Sequence, residues 1–417
     1  MNLKIEPSVL KGKVKIPSSK SYAHRMLICA GLSNGKSVIK GINFSKDIEA
    51  TISAMKSLGA DFEINDNEIT VYGIPKYSGT PVKADINCCE SGSTLRFIIP
   101  VAGAVGADAT FYGEGRLPQR PIDIYIRELS AKGITFEYNN TMPFSMKGRL
   151  SGGDFYLEGD VSSQFVTGLL FALPMLDGDS KIIMKSKLES KPYADMTIES
   201  LKLFGVTVEE TDYGYFIKGN QKYKAHNCTV EGDYSQSAFF ITANAINSNN
   251  NIELENLNPD SVQGDKKIIE IVNTMKENGK NGKLGHFDVD CSDIPDLVPI
   301  LAVLGSFGTE KSTIFNAKRL KIKESDRLVA ISSVLNNIGG KVTALDDGLV
   351  IEPVENFIGG EIESFGDHRI VMCGAVASTR SESPVIIKGS EAVSKSYPDF
   401  FRDFQNLGGT FNVINLE

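Results

Sequence analysis

KIKESDRL, residues 321 to 328, holds Lys321, Lys323, Glu324, Asp326 and Arg327 within eight positions. Two chemistries suit that density. Cations grip phosphate or carboxylate groups, and a carboxyl among them carries a proton. The same residues also suit a solvated helix start, with Ser325 or Asp326 capping RLVAISSVLNNIGG. The stretch alone leaves both readings open. Comparable clusters recur: Lys20, Ser21 and Arg25 in SKSYAHR; Ser91, Gly92, Ser93 and Arg96 in SGSTLRF; Ser162, Ser163 and Gln164 in SSQFV. Asp296 in SDIPDL, and Asp367, His368 and Arg369 in GDHRI, stand in the same kind of place. Cations precede acids by three or four residues at Arg120 and Asp123, Lys191 and Asp195, Lys323 and Asp326, and Lys395 and Asp399. Those acids read as helix caps.

The elements behind these clusters form a repeat. SYAHRMLICAGL, SGSTLRFIIPVAGAV, SSQFVTGLLFALPML, YSQSAFFITANAI, SDIPDLVPILAVLG and GDHRIVMCGAVAS each open polar and turn apolar all round, the mark of a buried helix. A turn and strand follow most of them. Between them come amphipathic helices that end at Gly59, Gly133, Gly205, Gly339 and Gly408, with a weaker marker at Gly279. Glycine there suits a left-handed C-cap. The spacing predicts six α/β units of about 60 to 74 residues, each near β-α-β-α-β-β, three to a domain. HNCTVEGDYSQ, 226 to 236, is the expected crossing point, and a second lies near IPSSK. The expected division is residues 18–230 for one domain and 1–17 with 231–417 for the other.

Helix N-termini attract anions, and cations placed there reinforce the attraction. The pattern predicts a convergent anion site within a chain whose net charge is −8. That acidity disfavours a general nucleic-acid or membrane-surface binder. No apolar run reaches membrane-spanning length, and MNLKIEPSVLKGKVKIPSSK has no signal-like apolar core. Six cysteines without a C-x-x-C read as reduced thiols in a cytoplasmic protein, and the four histidines show no metal-ligand spacing. GLSNGKS, 31 to 37, is one residue too short between glycines for a phosphate-binding P-loop and follows a helix rather than a strand.

Nine motifs, SKSYAHRML, ESGSTLRF, RLPQRPID, SSQFVTGLL, SKPYADMT, IPDLVPILA, KIKESDRL, GDHRIVM and KSYPDFF, resemble in order the motif set of the 5-enolpyruvylshikimate-3-phosphate synthase family. The resemblance spans nearly the whole chain. It implies two globular domains of three such units, two chain crossings, and an N-terminal strand that joins the later domain. It implies transfer of the enolpyruvyl group of phosphoenolpyruvate to the 5-hydroxyl of shikimate 3-phosphate, with release of phosphate and no cofactor. Those substrates carry about five to six negative charges at neutral pH. Lys20, Arg25, Arg120, Lys323, Arg327, Arg369 and Lys395 face that load.

By the same resemblance, Lys20, Ser21, Arg25, Ser162, Ser163, Gln164, Ser190, Tyr193, Asp296 and Lys323 are expected to bind shikimate 3-phosphate. Lys20, Gly92, Arg120, Gln164, Arg327, Arg369 and Lys395 are expected to bind phosphoenolpyruvate. Glycine at 92 permits close ligand approach. The methylene carbon gains a proton while the 5-hydroxyl loses one, and elimination reverses the need. Asp296 is the candidate base for the hydroxyl; Glu324 and Lys20 are candidates at the methylene carbon. A carboxyl among cations has a low pKa unless burial opposes it. His368 is either a participant or an orienting group. No metal is expected, no partner beyond the two small molecules, and a monomer. Because the motif residues divide between the halves, the two domains are expected to close on substrate.

The chain departs from the family at Glu90 and Arg319, where many members carry Asn, which alters the local contacts expected there. Two other readings compete. A related transferase acting on UDP-N-acetylglucosamine has a reactive loop cysteine, and GEGRLPQRPID supplies none. A non-catalytic anion-binding scaffold leaves Asp296 and Glu324 without a purpose.

Overall fold

A computed structural model of the chain describes residues 1–74 and 80–414. They form two compact units, Ser18–Glu231 and Met1–Pro17 with Gly232–Glu417. Glu231, expected with the later unit, groups with the earlier one. Its carbonyl accepts the Ser19 N–H at 2.7 Å, whereas the Asp233 N–H turns to Pro17.

The β-α-β-α-β-β unit is plain in residues 83–148. Lys83–Asn87 pairs in parallel with Asp108–Tyr112, across the helix Gly92–Val105. After the helix Asp123–Ser130, the strands Ile134–Glu137 and Phe144–Gly148 add antiparallel. Five sheets have this four-stranded order. Two are completed from a distance. Cys228–Thr229 supplies the leading strand beside Lys36–Lys40, and Asn2–Glu6 inserts between Val385–Lys388 and Thr410–Ile414. The unit around Gly279 differs: among the described residues it carries only Lys11–Lys15 paired with Asn251–Glu255.

The apolar helices form the centre of each unit. Lys20–Leu32, Gly92–Val105 and Ser163–Ala172 lie in one core, while Tyr234–Ile246, Val298–Gly305 and His368–Ser378 lie in the other. Small residues let these helices approach. A Cβ on Gly168 would strike the Arg96 carbonyl and the Tyr125 hydroxyl. The amphipathic helices end at glycines with φ of +103° (Gly59), +97° (Gly133), +75° (Gly205), +92° (Gly339) and +102° (Gly408). At Gly59, N–H bonds from Gly59 to Lys56 and from Ala60 to Met55 close the last turn. Gly279 breaks the pattern. Its φ is −72°, and glycine is required there because a side chain would run into the Lys283 carbonyl.

Candidate active site

The polar helix starts separate into caps and groups bonded elsewhere in the fold. Ser19, Ser91, Ser162, Asp233 and Asp367 each accept a first-turn N–H of a buried helix. Val298–Gly305 is entered differently, through a 3-10 turn Pro295–Leu297 that carries Asp296, and its N-cap residue Leu297 makes no side-chain cap bond. The Asp296 carboxylate bonds elsewhere. The cation-acid pairs also divide. Asp326 caps its helix, accepting from Val329 N, but the other three acids make no side-chain cap bond. Asp195 sits inside its helix and pairs with Lys191 at 2.6 Å, and Asp399 pairs with Arg402 at 2.8 Å. A lysine or arginine one turn away outcompetes a single N–H for those carboxylates.

In the unit Ser18–Glu231, Arg25 is 2% exposed. Its Nε donates to Thr197 Oγ1 at 2.9 Å, Nη1 to the Ser21 carbonyl at 2.7 Å and Nη2 to the Tyr193 carbonyl at 2.7 Å. The Phe97 and Tyr193 rings flank it. Every one of these partners is neutral. Burial pushes Arg25 down to about 10, so it remains a cation at neutral pH. Ser190 holds a left-handed φ of +56° at the start of Lys191–Leu203, one turn from Tyr193. Lys20 Nζ meets the Asp47 carboxylate at 2.7 Å.

Gly92 is also in this unit, buried at the start of its helix. A Cβ there would stand 2.5 Å from Arg120 Nη1 and 3.6 Å from Gln164 Oε1. The glycine therefore leaves room for the movable end of the Arg120 side chain. Arg96 Nη1 donates to Gln164 Oε1 at 2.7 Å, and Gln164 Nε2 donates to Ser93 Oγ at 3.0 Å. Ser162 Oγ accepts from Gln164 N, and Ser163 is buried beside it.

The other unit gathers a denser set. Arg327 is 2% exposed and meets three carboxylates: Nε to Asp367 at 2.8 Å, Nη1 to Asp296 at 2.9 Å and Nη2 to Glu324 at 2.8 Å. Arg369 Nη2 donates to Asp296 Oδ2 at 2.9 Å and to Ser235 Oγ at 3.1 Å. Ser325 Oγ donates to Asp367 at 3.1 Å, so Ser325 is a ligand of that carboxylate rather than a cap. Burial opposes the charge of Asp296, but Arg369, Lys323 and Arg327 outweigh it and hold the carboxyl well below the usual range. Burial pushes Lys323 down to about 8, with Arg327 and Arg319 adding to the effect and Asp296 opposing it. Lys395 Nζ donates to the Gly366 carbonyl at 2.9 Å, beside the Asp367 cap. His368 is buried with Nδ1 3.8 Å from Asp367. Lys321 leaves the cluster and pairs with Asp346. Among the described residues no group of three or more His, Cys, Asp or Glu stands where it could hold a metal ion.

Each unit thus presents buried or half-buried cations at helix starts, and in one of them a single arginine gathers three carboxylates. The family model for EPSP synthase (3-phosphoshikimate 1-carboxyvinyltransferase) matches residues 5–404. The chain belongs to the EPSP synthase family. It is 48% identical, over 433 aligned positions, to the 3-phosphoshikimate 1-carboxyvinyltransferase of Clostridium novyi strain NT, covering 100% of this chain and 99% of that one. The Clostridioides difficile strain 630 protein of the same name is 45% identical, with 100% and 99% coverage. Among solved structures, the EPSP synthase of Acinetobacter baumannii superposes with a TM-score of 0.84 at 25% identity, covering 99% of this chain and 100% of that one.

The two departures from the EPSP synthase motifs have local consequences. The Arg319 guanidinium donates to the Ser292 carbonyl, four residues before Asp296. The Glu90 carboxylate packs so closely on Gly115 that a Cβ there would lie 2.6 Å from it. Sequence reading did not single out Asp47, Thr197 or Ser235 as partners of Lys20, Arg25 and Arg369. Ser235 lay inside a quoted helix start, but nothing local ties it to an arginine 134 residues away.

Proposed function

We propose that the chain transfers the enolpyruvyl group of phosphoenolpyruvate to the 5-hydroxyl of shikimate 3-phosphate. This is the reaction of the EPSP synthase family, a step of the shikimate pathway toward chorismate and aromatic amino acids. Arg25 carries the reading. It is a buried cation whose every protein partner is neutral, and a buried charge is costly until paired. A phosphate monoester supplies the missing charge, and a guanidinium matches its geometry. Ser21, Ser162, Ser163, Ser190, Tyr193 and Lys323 complete shikimate 3-phosphate binding. Gly92, Arg120, Gln164, Arg369 and Lys395 take phosphoenolpyruvate, with Lys20 and Gln164 shared by both substrates.

Arg327 holds Asp296 and Glu324 in place through Nη1 and Nη2 while Nε meets Asp367, and the second N–H of Nη1 is its donor to phosphoenolpyruvate. Asp296 is a weak base while two guanidinium groups hold it. A phosphoenolpyruvate oxygen that draws Arg369 away restores its basicity when the 5-hydroxyl must lose a proton. Glu324 and Lys20 serve the methylene carbon. The reading takes a monomer that acts on two small molecules and binds no nucleic acid. It places the protein in the cytoplasm, which its six free thiols, four of them buried, suit. No described helix is long and apolar enough to cross a membrane.

Phosphate release on mixing the two substrates tests the activity. Arg25→Ala tests the assignment: calorimetric titration should show shikimate 3-phosphate binding weakened about 100-fold or more, the scale of a lost charge-assisted pair. Unchanged binding would remove Arg25 from the site.

A further inference from the structure

A chain of hydroxyls runs from a buried histidine to the helix start at Gly92. His24, 1% exposed, has Nδ1 2.7 Å from Thr51 Oγ1, while its Nε2 is buried with no hydrogen-bonding partner among the described residues. Thr51 Oγ1 lies 2.7 Å from Thr94 Oγ1. Thr94 Oγ1 donates to Ser91 Oγ at 2.8 Å, and the Thr94 N–H donates to the same oxygen at 3.1 Å. A second acceptor for Thr94, the Asp47 carbonyl at 3.4 Å, is the longer.

Each hydroxyl has one hydrogen, so one assignment sets the rest. Thr94 gives its hydrogen to Ser91 and must accept from Thr51. Thr51, having donated to Thr94, must accept from His24. His24 is therefore the neutral imidazole with its proton on Nδ1. Its surroundings agree: burial, with Lys20 and Arg25 beside it, pushes the imidazolium well below its ordinary range. At the far end, both lone pairs of Ser91 Oγ are taken by Thr94. Its own hydrogen meets no acceptor among the described residues, although Ser91 is 1% exposed. A buried donor without an acceptor is costly, and Ser91 immediately precedes Gly92, whose Cβ position lies beside Arg120 and Gln164.

We propose that His24 is a positioning residue: through Thr51 and Thr94 it turns the Ser91 hydroxyl outward as a donor to an anionic oxygen of phosphoenolpyruvate. The inference rests on the assignment of phosphoenolpyruvate to the Gly92 helix start. Without the Nδ1 proton, the chain can reverse, and Ser91 then spends its hydrogen on Thr94.

Thr51→Val keeps the shape of the side chain, removes the relay and touches no substrate. Steady-state phosphate release should show the KM for phosphoenolpyruvate raised about tenfold, with the KM for shikimate 3-phosphate within twofold of wild type. Thr51→Ser should restore it. If Thr51→Val does not fold, Ser91→Ala, which removes only the terminal donor and the cap, should show the same split. His24→Asn, whose amide nitrogen takes the place of Nδ1, should stay near wild type. An unchanged KM for phosphoenolpyruvate, an equal rise in both KM values, or no rescue by serine overturns the relay. Wild-type protein that releases no phosphate overturns the functional reading and the relay with it; active wild type with an indifferent Thr51→Val overturns the relay alone.

Discussion

Replacing Asp296 by asparagine separates its electrostatic work from its chemistry. The carboxylate takes one hydrogen bond from Arg327 and one from Arg369, each 2.9 Å long, with its side chain 21% exposed. Hydrogen bonds to charged groups contribute about 1.5–3 kcal/mol each. Asparagine keeps one acceptor and turns an NH2 toward the other guanidinium, so one bond is lost and donor faces donor. Arg327 retains Asp367 and Glu324, which limits the damage. The expected loss is about 2–3 kcal/mol at pH 7, read by denaturant unfolding of Asp296→Asn beside wild type. The sign with pH follows from the depressed carboxyl. Its contribution is present above the unfolded value of about 3.9 and is lost as pH falls toward the much lower folded value. The gap between the two proteins should therefore be constant above about pH 5 and shrink below about pH 4. In single-turnover experiments with both substrates saturating, the variant should react about 10²-fold or more slowly, the scale of a lost general base. Native-rate turnover in folded Asp296→Asn would refute the catalytic assignment. A stability gap that ignores pH would refute the clamp.

Two further outcomes follow from the same geometry. Gly92→Ala places a Cβ 2.5 Å from Arg120 Nη1, the movable end of a side chain, so Arg120 must shift. The KM for phosphoenolpyruvate should rise several-fold with the thermal midpoint nearly unchanged; the reverse pattern would make Gly92 a packing residue only. Lys323, pushed down to about 8 by burial, costs stability below that pH and recovers it as pH rises toward its unfolded value. Binding shikimate 3-phosphate beside it raises its pKa, so complex formation near pH 8 should take up protons and near pH 6 should not. Calorimetry in two buffers of different ionisation enthalpy reads this, and equal heats in both at pH 8 would place Lys323 away from the ligand.

Local rules made much of this protein legible. Apolar runs after small polar residues marked the six buried helices, because a helix apolar on every side has nowhere to go but a core. Five glycines marked left-handed helix ends, because few other residues adopt positive φ without strain. The cations at helix starts, and the family their motifs resemble, were visible for the same reason: short spacing and residue type are properties of the chain itself. Partner choice was not. Asp296, Asp326 and Asp367 look alike in sequence, yet one is clamped by arginines, one caps its own helix, and one does both. What distinguishes them is Arg327, placed by folding against carboxylates 31 and 40 residues away. The glycine at 279 was a weaker marker in sequence, but its role beside the Lys283 carbonyl and the two-stranded sheet of its unit were decided by the fold. Tertiary structure decided these matters because a buried charge or hydroxyl is satisfied by whatever the fold brings within about 3 Å, and sequence spacing carries no record of that distance.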